Sequence, residues 1–241
     1  MKSLALLANP TRCARLAAKL TPFAALGATV TFVWGLALAL FASPADYQQG
    51  ETVRIMYVHV PAAWTGMMIY GAMALAAGIS LVTRAAIMDI ICVAAAPVGA
   101  TFVALCLATG CLWGKPTWGA WWVWDARLTS VLILFLLYCG YMALRNAFDD
   151  ETQGAKAGAW LLLAGAINLP IIKFSVDWWN TLHQPTSVLR SAGSAIAPAM
   201  LRPLLVMALA FTLYAAWLVM LRVQTIVARR RMEKTMLNAR A

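Results

Sequence analysis

Two histidines are the residues of this chain best suited to hold a metal. His59 and His183 are the only histidines in the 241-residue sequence, and each is expected in a loop beside a long apolar segment. A neutral imidazole is a good ligand for iron, and two of them on opposite sides of a flat macrocycle complete six-coordinate iron. A single loop histidine is more often a solvated or hydrogen-bonded residue. The pair therefore needs support from a second feature.

The second feature is a cluster of tryptophans. Five of the eleven tryptophans fall within twelve residues: Trp113, Trp118, Trp121, Trp122 and Trp124. The spacing of Trp118, Trp121, Trp122 and Asp125 is that of one helical face, which predicts a short helix lying in a membrane interface. Trp178 and Trp179 extend the aromatic surroundings of His183, and Trp179 lies one turn before it if that segment is helical. Tryptophans also serve as simple interfacial anchors, and this interpretation stays open.

The composition requires these residues to be positioned by membrane helices. Hydrophobic residues make up 63% of the chain and charged residues only 12%, which is typical of an integral membrane protein. A bilayer core of about 30 Å needs about 20 apolar residues per helix. Six segments approach this length without a charge inside, the fifth being extended from 172 by a snorkelling Lys173: 22–42, 61–83, 90–114, 128–144, 157–174 and 203–221. We expect a single all-α membrane domain over residues 1–241, with Pro97 and Pro170 kinking the third and fifth spans.

The distribution of Lys and Arg predicts the orientation. Thirteen of the 19 lie in the two tails and in the loops after the second and fourth spans, and Lys2 and Arg240 are the outermost of them. Positive residues favour the cytoplasmic side, so both termini are expected there. The segment 113–129 and both histidines then share the outer face. Because the basic residues flank membrane spans, they indicate contact with membrane lipids, and nucleic-acid binding is not expected.

A flat, iron-containing ligand on the outer face explains the histidines and the tryptophans together. Arg127 and Arg54 are candidates for pairing with its carboxylates, because guanidinium groups make bidentate hydrogen bonds. Headgroup contact, or an internal ion pair such as that of Asp125 with Arg127, explains these arginines equally well.

Three segments carry a resemblance to a known family. The run from Trp118 to Thr129 resembles the tryptophan-rich WWD signature of haem-handling proteins. Residues 54–63 and 177–184 resemble the two histidine-bearing outer loops of the same proteins. The match is to the cytochrome c maturation protein C family of haem exporters, and it runs from about Ala42 to the sixth span. Oligosaccharide transferases carry a similar motif, but an aromatic residue and a glycine follow its aspartate, whereas Ala126 and Arg127 follow here.

The resemblance implies a defined role. Family members hold haem b as a transient cargo at the outer face of the bacterial inner membrane, with axial ligands at the positions of His59 and His183 and the WWD segment as a platform. They deliver it to a periplasmic haem chaperone, beside a small single-span membrane subunit and an ATP-binding-cassette pair. This chain has no nucleotide motif, so a partner is expected to supply the energy. No catalytic residues are identified, and the chain is not expected to be an enzyme.

Two other functions remain open. A b-type cytochrome subunit for quinone-linked electron transfer would keep its haem, but its ligand histidines usually lie within spans. A secondary transporter would need ionisable groups or repeated broken helices in the membrane. Here Asn168 is expected to make a helix-packing hydrogen bond instead.

Overall fold

Helices form most of the protein in the computed structural model, which describes residues 9–184, 187–188 and 193–240. Lys2 and Arg190, two of the basic residues counted for the orientation, lie outside the described residues. The helices are α1 (Pro10–Ala37), α2 (Met56–Thr83), α3 (Ala86–Trp118), α4 (Ala126–Asn146), α5 (Glu151–Gly165), α6 (Asn168–Trp178) and α7 (Pro198–Arg240). A π-helical turn (Leu38–Ala42) continues α1, and a 3-10 turn (Glu51–Ile55) precedes α2. The described part of the chain contains no strand beyond an isolated bridge, which confirms the all-α prediction.

Six helical segments of the described chain are long and apolar enough to cross a membrane, as predicted. They are Pro10–Ala42, Glu51–Thr83, Ala86–Trp118, Ala126–Asn146, Glu151–Trp178 and Pro198–Ala239. Each extends beyond its charge-free run, because a helix can continue into the polar interface where charges are solvated. The first begins well before residue 22, since the Asn9 side chain caps it by accepting from the Thr11 amide at 2.9 Å.

The centre of the bundle joins α2, α3 and α4 around one tyrosine. Tyr138 of α4 is fully buried, and its ring meets that of Tyr70 edge-on at a centroid distance of 5.1 Å. Its hydroxyl donates to the Gly66 carbonyl of α2 at 2.7 Å. A Cβ on Gly99 would lie 2.2 Å from that hydroxyl, so only glycine lets α3 approach this closely. The three helices are thereby fixed relative to one another.

The remaining helices pack around this centre. α7 contacts α2 and α3, and α1 lies outside it, mainly against α7. Gly35 allows the close approach of α1, because a Cβ there would lie 2.7 Å from the Met207 sulfur. The first helix is therefore the peripheral one.

The fifth membrane segment consists of two helices, α5 and α6, separated at residues 166–167. Pro170 lies in the first turn of α6 and has no N–H to continue the hydrogen bonds of α5, so the helix breaks where a kink was predicted. At Pro97 the helix α3 continues without a break. Asn168 starts α6, and its amide donates to the Ser130 carbonyl of α4 at 2.8 Å. This is the packing hydrogen bond expected for it.

An ion network closes the end of the bundle at which α3 begins. Arg145 of α4 donates twice to Asp89 of α3, at 3.3 and 3.0 Å. Arg230 of α7 lies 3.6 Å from Asp89 and 3.2 Å from Glu151 of α5. The side chains of Arg145 and Asp89 are only 9% and 14% exposed, so this ion pair is largely shielded from water. Charged side chains of α3, α4, α5 and α7 therefore meet at this end of the bundle.

Replacing Asp89 should destabilise the fold strongly. Asp89→Asn leaves the buried Arg145 without its counter-charge, and we expect a loss of about 3–5 kcal/mol. The exposed pair of Arg229 and Glu233 is a matched control: Glu233→Gln should cost less than about 1 kcal/mol. The measurement is the thermal unfolding midpoint of each purified variant in detergent. Equal midpoints would show that the network contributes no more than a surface pair.

Candidate functional site

A cavity of about 740 Å³ lies between the first turns of α2 and α4, the C-terminal half of α3, α6 and the start of α7. Its size falls in the range of roughly 300–1,000 Å³ that is usual for small-molecule sites. Most of the wall is apolar, and both histidines of the chain belong to it. The other polar side chains of the described residues that line it are Asp46, Tyr47, Gln49, Thr117, Arg127, Lys173, Gln184 and Ser187. The fold thus brings the two candidate metal ligands to one space.

His59 lies in the first turn of α2 and is oriented by α3. Its Nδ1 is 3.0 Å from the Cys106 carbonyl and 3.2 Å from the Thr109 hydroxyl. The carbonyl only accepts, and the Thr109 hydroxyl donates to the Leu105 carbonyl at 2.7 Å, so Nδ1 must carry the proton. Nε2 then holds the lone pair that a metal needs. Gly110 makes room for the ring, because a Cβ there would lie 3.0 Å from the His59 Cε1.

His183 lies on an irregular segment that follows α6. The helix ends at Trp178, and Trp179 has an extended backbone, so this segment is not helical and Trp179 does not lie one helical turn before His183. The imidazole Nδ1 lies 3.3 Å from the Arg127 guanidinium and 3.2 Å from the Gln184 carbonyl. The position of this histidine therefore depends on tertiary contacts.

The two contacts of the His183 Nδ1 exclude one another. Arg127 donates, so it requires a bare nitrogen, whereas the Gln184 carbonyl accepts and requires a protonated one. Only the second arrangement leaves Nε2 free for a metal. Burial and the charge of Arg127 lower the pKa of His183, against the opposing effects of the Gln184 carbonyl and Asp125. The imidazole is therefore neutral at pH 7, as ligation requires.

The tryptophan cluster divides between the cavity wall and the surface. Trp113, Trp118 and Trp122 line the cavity. Trp121 and Trp124 are 56% and 75% exposed and lie outside the lining. Trp124 packs edge-on against Trp122, with ring centroids 5.5 Å apart. The three inner indoles are the ones placed to meet a bound molecule.

Each histidine has an inner tryptophan against its ring. The Trp113 ring lies edge-on to His59 with a centroid distance of 5.7 Å, and the Trp118 ring lies 6.2 Å from His183. The Trp113 indole N–H donates to the Gln49 side chain at 2.8 Å, which fixes its orientation. The histidines and the tryptophans therefore form one site.

The tryptophan segment is not a helix lying flat. α3 continues as far as Trp118 and ends because Gly119 takes a left-handed conformation, with φ of 77°. α4 starts after Asp125, whose carboxylate caps it by accepting from the Leu128 amide at 2.8 Å. Residues 119–124 between them are irregular. The structure therefore contradicts the predicted helical face of Trp118, Trp121, Trp122 and Asp125.

Asp125 and Arg127 both hold the segment around His183. Arg127 donates to the Ser175 hydroxyl at 3.1 Å and to the Lys173 carbonyl at 3.2 Å, both in α6. Asp125 accepts a hydrogen bond from the Thr181 hydroxyl. No ion pair between Asp125 and Arg127 is found among the described residues. Their contacts instead connect the start of α4 to α6 and to the segment after it.

Arg54 lies outside the cavity lining. Its guanidinium pairs with Glu51 at 2.5 Å and donates to the Ala39 carbonyl. Of the two arginines singled out in the sequence, Arg127 is therefore the one placed to meet a bound molecule.

Three polar residues of the site were not predicted as site residues from the sequence. Lys173 lines the cavity, although from the sequence it was predicted only to snorkel at the end of the fifth span. Gln49 orients Trp113 from a loop more than 60 positions away. Thr181 precedes His183 by two positions, a spacing at which a hydroxyl accepts from a backbone amide; this signal could have been read from the sequence.

Comparison with known proteins identifies the family. The profile of the family described as "Heme exporter protein C" matches residues 3–238. The chain is 54% identical to Heme exporter protein C of Bradyrhizobium diazoefficiens over 225 residues, or 93% of this chain and 85% of the relative. The proteins of the same name from Haemophilus influenzae and Escherichia coli K12 are 48% and 45% identical, over 89% and 94% of this chain and 87% and 91% of their own lengths.

These matches cover nearly all of the chain that forms the cavity and its supporting helices, and the chain belongs to the heme exporter protein C family.

Proposed function

We propose that this protein handles haem for cytochrome c biogenesis, holding it at the periplasmic face of a bacterial inner membrane and delivering it to a periplasmic haem chaperone. One observation carries the proposal: both histidines of the chain line a single cavity together with Trp113, Trp118 and Trp122. The name shared by its relatives supports haem as the molecule handled.

His59 and His183 act as the axial ligands of the haem iron. His59 is ready for this, because Nδ1 donates to the Cys106 carbonyl and Nε2 keeps its lone pair. His183 becomes ready when its Nδ1 donates to the Gln184 carbonyl rather than accepting from Arg127. Iron binding therefore selects one of two hydrogen-bonded states of His183.

The tryptophans supply flat apolar surface for the macrocycle. Trp113, Trp118 and Trp122 meet it inside the cavity, and Trp121 and Trp124 extend the platform at the exposed rim. Stacked or edge-on aromatic contacts contribute roughly 0.5–1.5 kcal/mol each. Such contacts orient the cargo and still permit release.

The haem carboxylates need polar partners, and the cavity offers several. Arg127 and Lys173 are cations of its wall, and Arg54 lies further away beside Glu51. The Trp122 indole N–H is buried without an acceptor among the described residues, so a carboxylate oxygen would satisfy it. Asp125 contributes indirectly by holding the neighbouring segment.

Transient binding fits a protein that works with partners. Two imidazoles and aromatic contacts hold haem b without a covalent bond, so a chaperone can compete for it. The proposed partners are that chaperone, a small single-span subunit and an ATP-binding-cassette pair, with both termini of this chain cytoplasmic. The protein then acts as a handling component rather than as an enzyme.

Removing either histidine should abolish six-coordinate haem. For His59→Ala and His183→Ala we expect loss of the low-spin spectrum of the purified protein. Haem affinity should fall by more than the roughly 10–100-fold that follows removal of a group behind a ligand. The measurements are absorption spectra during haem titration, with cytochrome c production in cells as the second readout. Unchanged values in both variants would exclude this ligand pair, and rapid reduction of a retained haem by quinol would indicate a b-type cytochrome.

Replacing inner tryptophans should weaken haem binding without unfolding the protein. The double variant Trp118→Leu/Trp122→Leu keeps the apolar surface but removes two ring faces. Two aromatic contacts of about 1 kcal/mol each predict a loss of affinity of roughly tenfold or more. Trp160→Leu, at a 64% exposed position of α5, is the matched control. If the double variant and the control bind haem equally well, the indoles are membrane anchors only.

A single methyl group beside His59 should disturb its ligation. In Gly110→Ala the new Cβ lies 3.0 Å from the His59 ring, so the imidazole must shift, and haem affinity should fall by roughly tenfold. Gly78→Ala is the matched control, because its Cβ would meet only Leu163 at an ordinary 3.7 Å. Haem titration of both variants checks this, and equal affinities would mean that His59 is not held in its observed place during binding.

A further inference from the structure

His183 differs from His59 in lacking a helix to support it. A metal ligand must be held within about 0.5 Å of its productive position by packing and by hydrogen bonds from neighbouring residues. His183 lies five residues beyond the end of α6, on backbone with no regular structure. Its imidazole contacts with Arg127 and Gln184 exclude one another, so they do not hold the ring in a single state. Arg127 also donates to the Gln184 carbonyl at 3.4 Å, which restrains the residue after His183 and leaves the backbone of His183 itself to another partner.

Thr181 provides two hydrogen bonds at this point. Its hydroxyl donates to Oδ2 of Asp125 and accepts from the backbone N–H of His183 at 3.0 Å. A hydroxyl has one proton and two lone pairs, so it can make both bonds at once. The acceptor is a carboxylate, and hydrogen bonds to ionised groups are about twice as strong as neutral ones. Thr181 therefore connects His183 to a charged, fixed group.

Asp125 is itself fixed by α4. Its other carboxylate oxygen, Oδ1, accepts from the Leu128 amide at 2.8 Å, and the residue is only 9% exposed. The positive end of the helix dipole further stabilises the carboxylate. Asp125 directly follows Trp124, so it is also the last residue of the tryptophan segment.

We propose that Thr181 is a positioning residue for His183, which, through Asp125, fixes the second axial ligand relative to the tryptophan platform. The inference rests on the proposed function, because it takes His183 as a ligand of haem iron. Thr181 does not line the cavity, so it acts through His183 and not on the cargo. One hydroxyl makes the ligand and the platform parts of a single unit.

The test compares Thr181→Val with Thr181→Ser in the full-length protein. Valine has the shape of threonine but no hydroxyl, whereas serine keeps the hydroxyl. We expect Thr181→Val to lose roughly 10–100-fold in haem affinity and to lose its six-coordinate, low-spin spectrum. Thr181→Ser should keep both the haem affinity and the low-spin spectrum of the wild type. Adding imidazole should return the low-spin spectrum to Thr181→Val, because free imidazole replaces a misplaced ligand in a folded cavity.

Two controls separate the possible failures. Thr212→Val makes the same change on α7, where the hydroxyl bonds only its own helix at Ala208, and should behave as the wild type. His183→Ala is measured in parallel. If His183→Ala loses the low-spin spectrum while Thr181→Val keeps it, the positioning role is wrong and the proposed function stands. If Thr181→Val is not rescued by imidazole, its defect is a general loss of structure and the positioning role is also wrong. If His183→Ala resembles the wild type, both proposals fail.

Discussion

The carboxylate of Asp125 is the point at which the tryptophan segment, α4 and the His183 segment meet. One oxygen caps α4 by accepting from the Leu128 amide, and the other accepts from the Thr181 hydroxyl. A single buried carboxylate therefore starts α4 and holds the segment that carries His183. A carboxylate suits this position because a helix N-terminus presents free N–H groups and a positive dipole. The aspartate that ends the tryptophan motif thus has a structural role at the start of α4.

The two histidines are held by different physical means, and the difference bears on the proposed function, in which bound haem is released to a partner. His59 has a fixed tautomer, because both neighbours of its Nδ1 can only accept. His183 has two competing partners, and one of them, Arg127, stabilises a state that cannot bind iron. In the proposed function His59 therefore always presents its Nε2 lone pair to iron. His183 can switch between a state that binds iron and one that does not, and the switch exchanges one hydrogen bond, on the order of 1 kcal/mol.

The six membrane segments could be predicted from the sequence because the bilayer imposes a length and an apolar composition that local sequence reveals. The prediction of a helical face through Trp121 and Trp122 was wrong for a local reason. Gly119 ends α3 before these residues, so they are not helical. The partners of Arg127 could not be predicted, since Ser175 and the Lys173 carbonyl come from α6, nearly fifty positions away. Periodicity predicts elements, whereas the orientation of a polar side chain depends on which elements meet.

α3 runs from an end of the bundle that is held by ion pairs to an end that encloses a cavity. At its start, Asp89 joins four helices through partly buried charges, and at its middle Gly99 admits the buried ring of Tyr138. Toward its end, Trp113 and Trp118 face a cavity of about 740 Å³ that the neighbouring side chains do not fill. Apolar surface left unpacked costs stability, because its atoms lose dispersion contacts. The ion pairs at the start of α3 stabilise the bundle that encloses the cavity at the other end of the same helix.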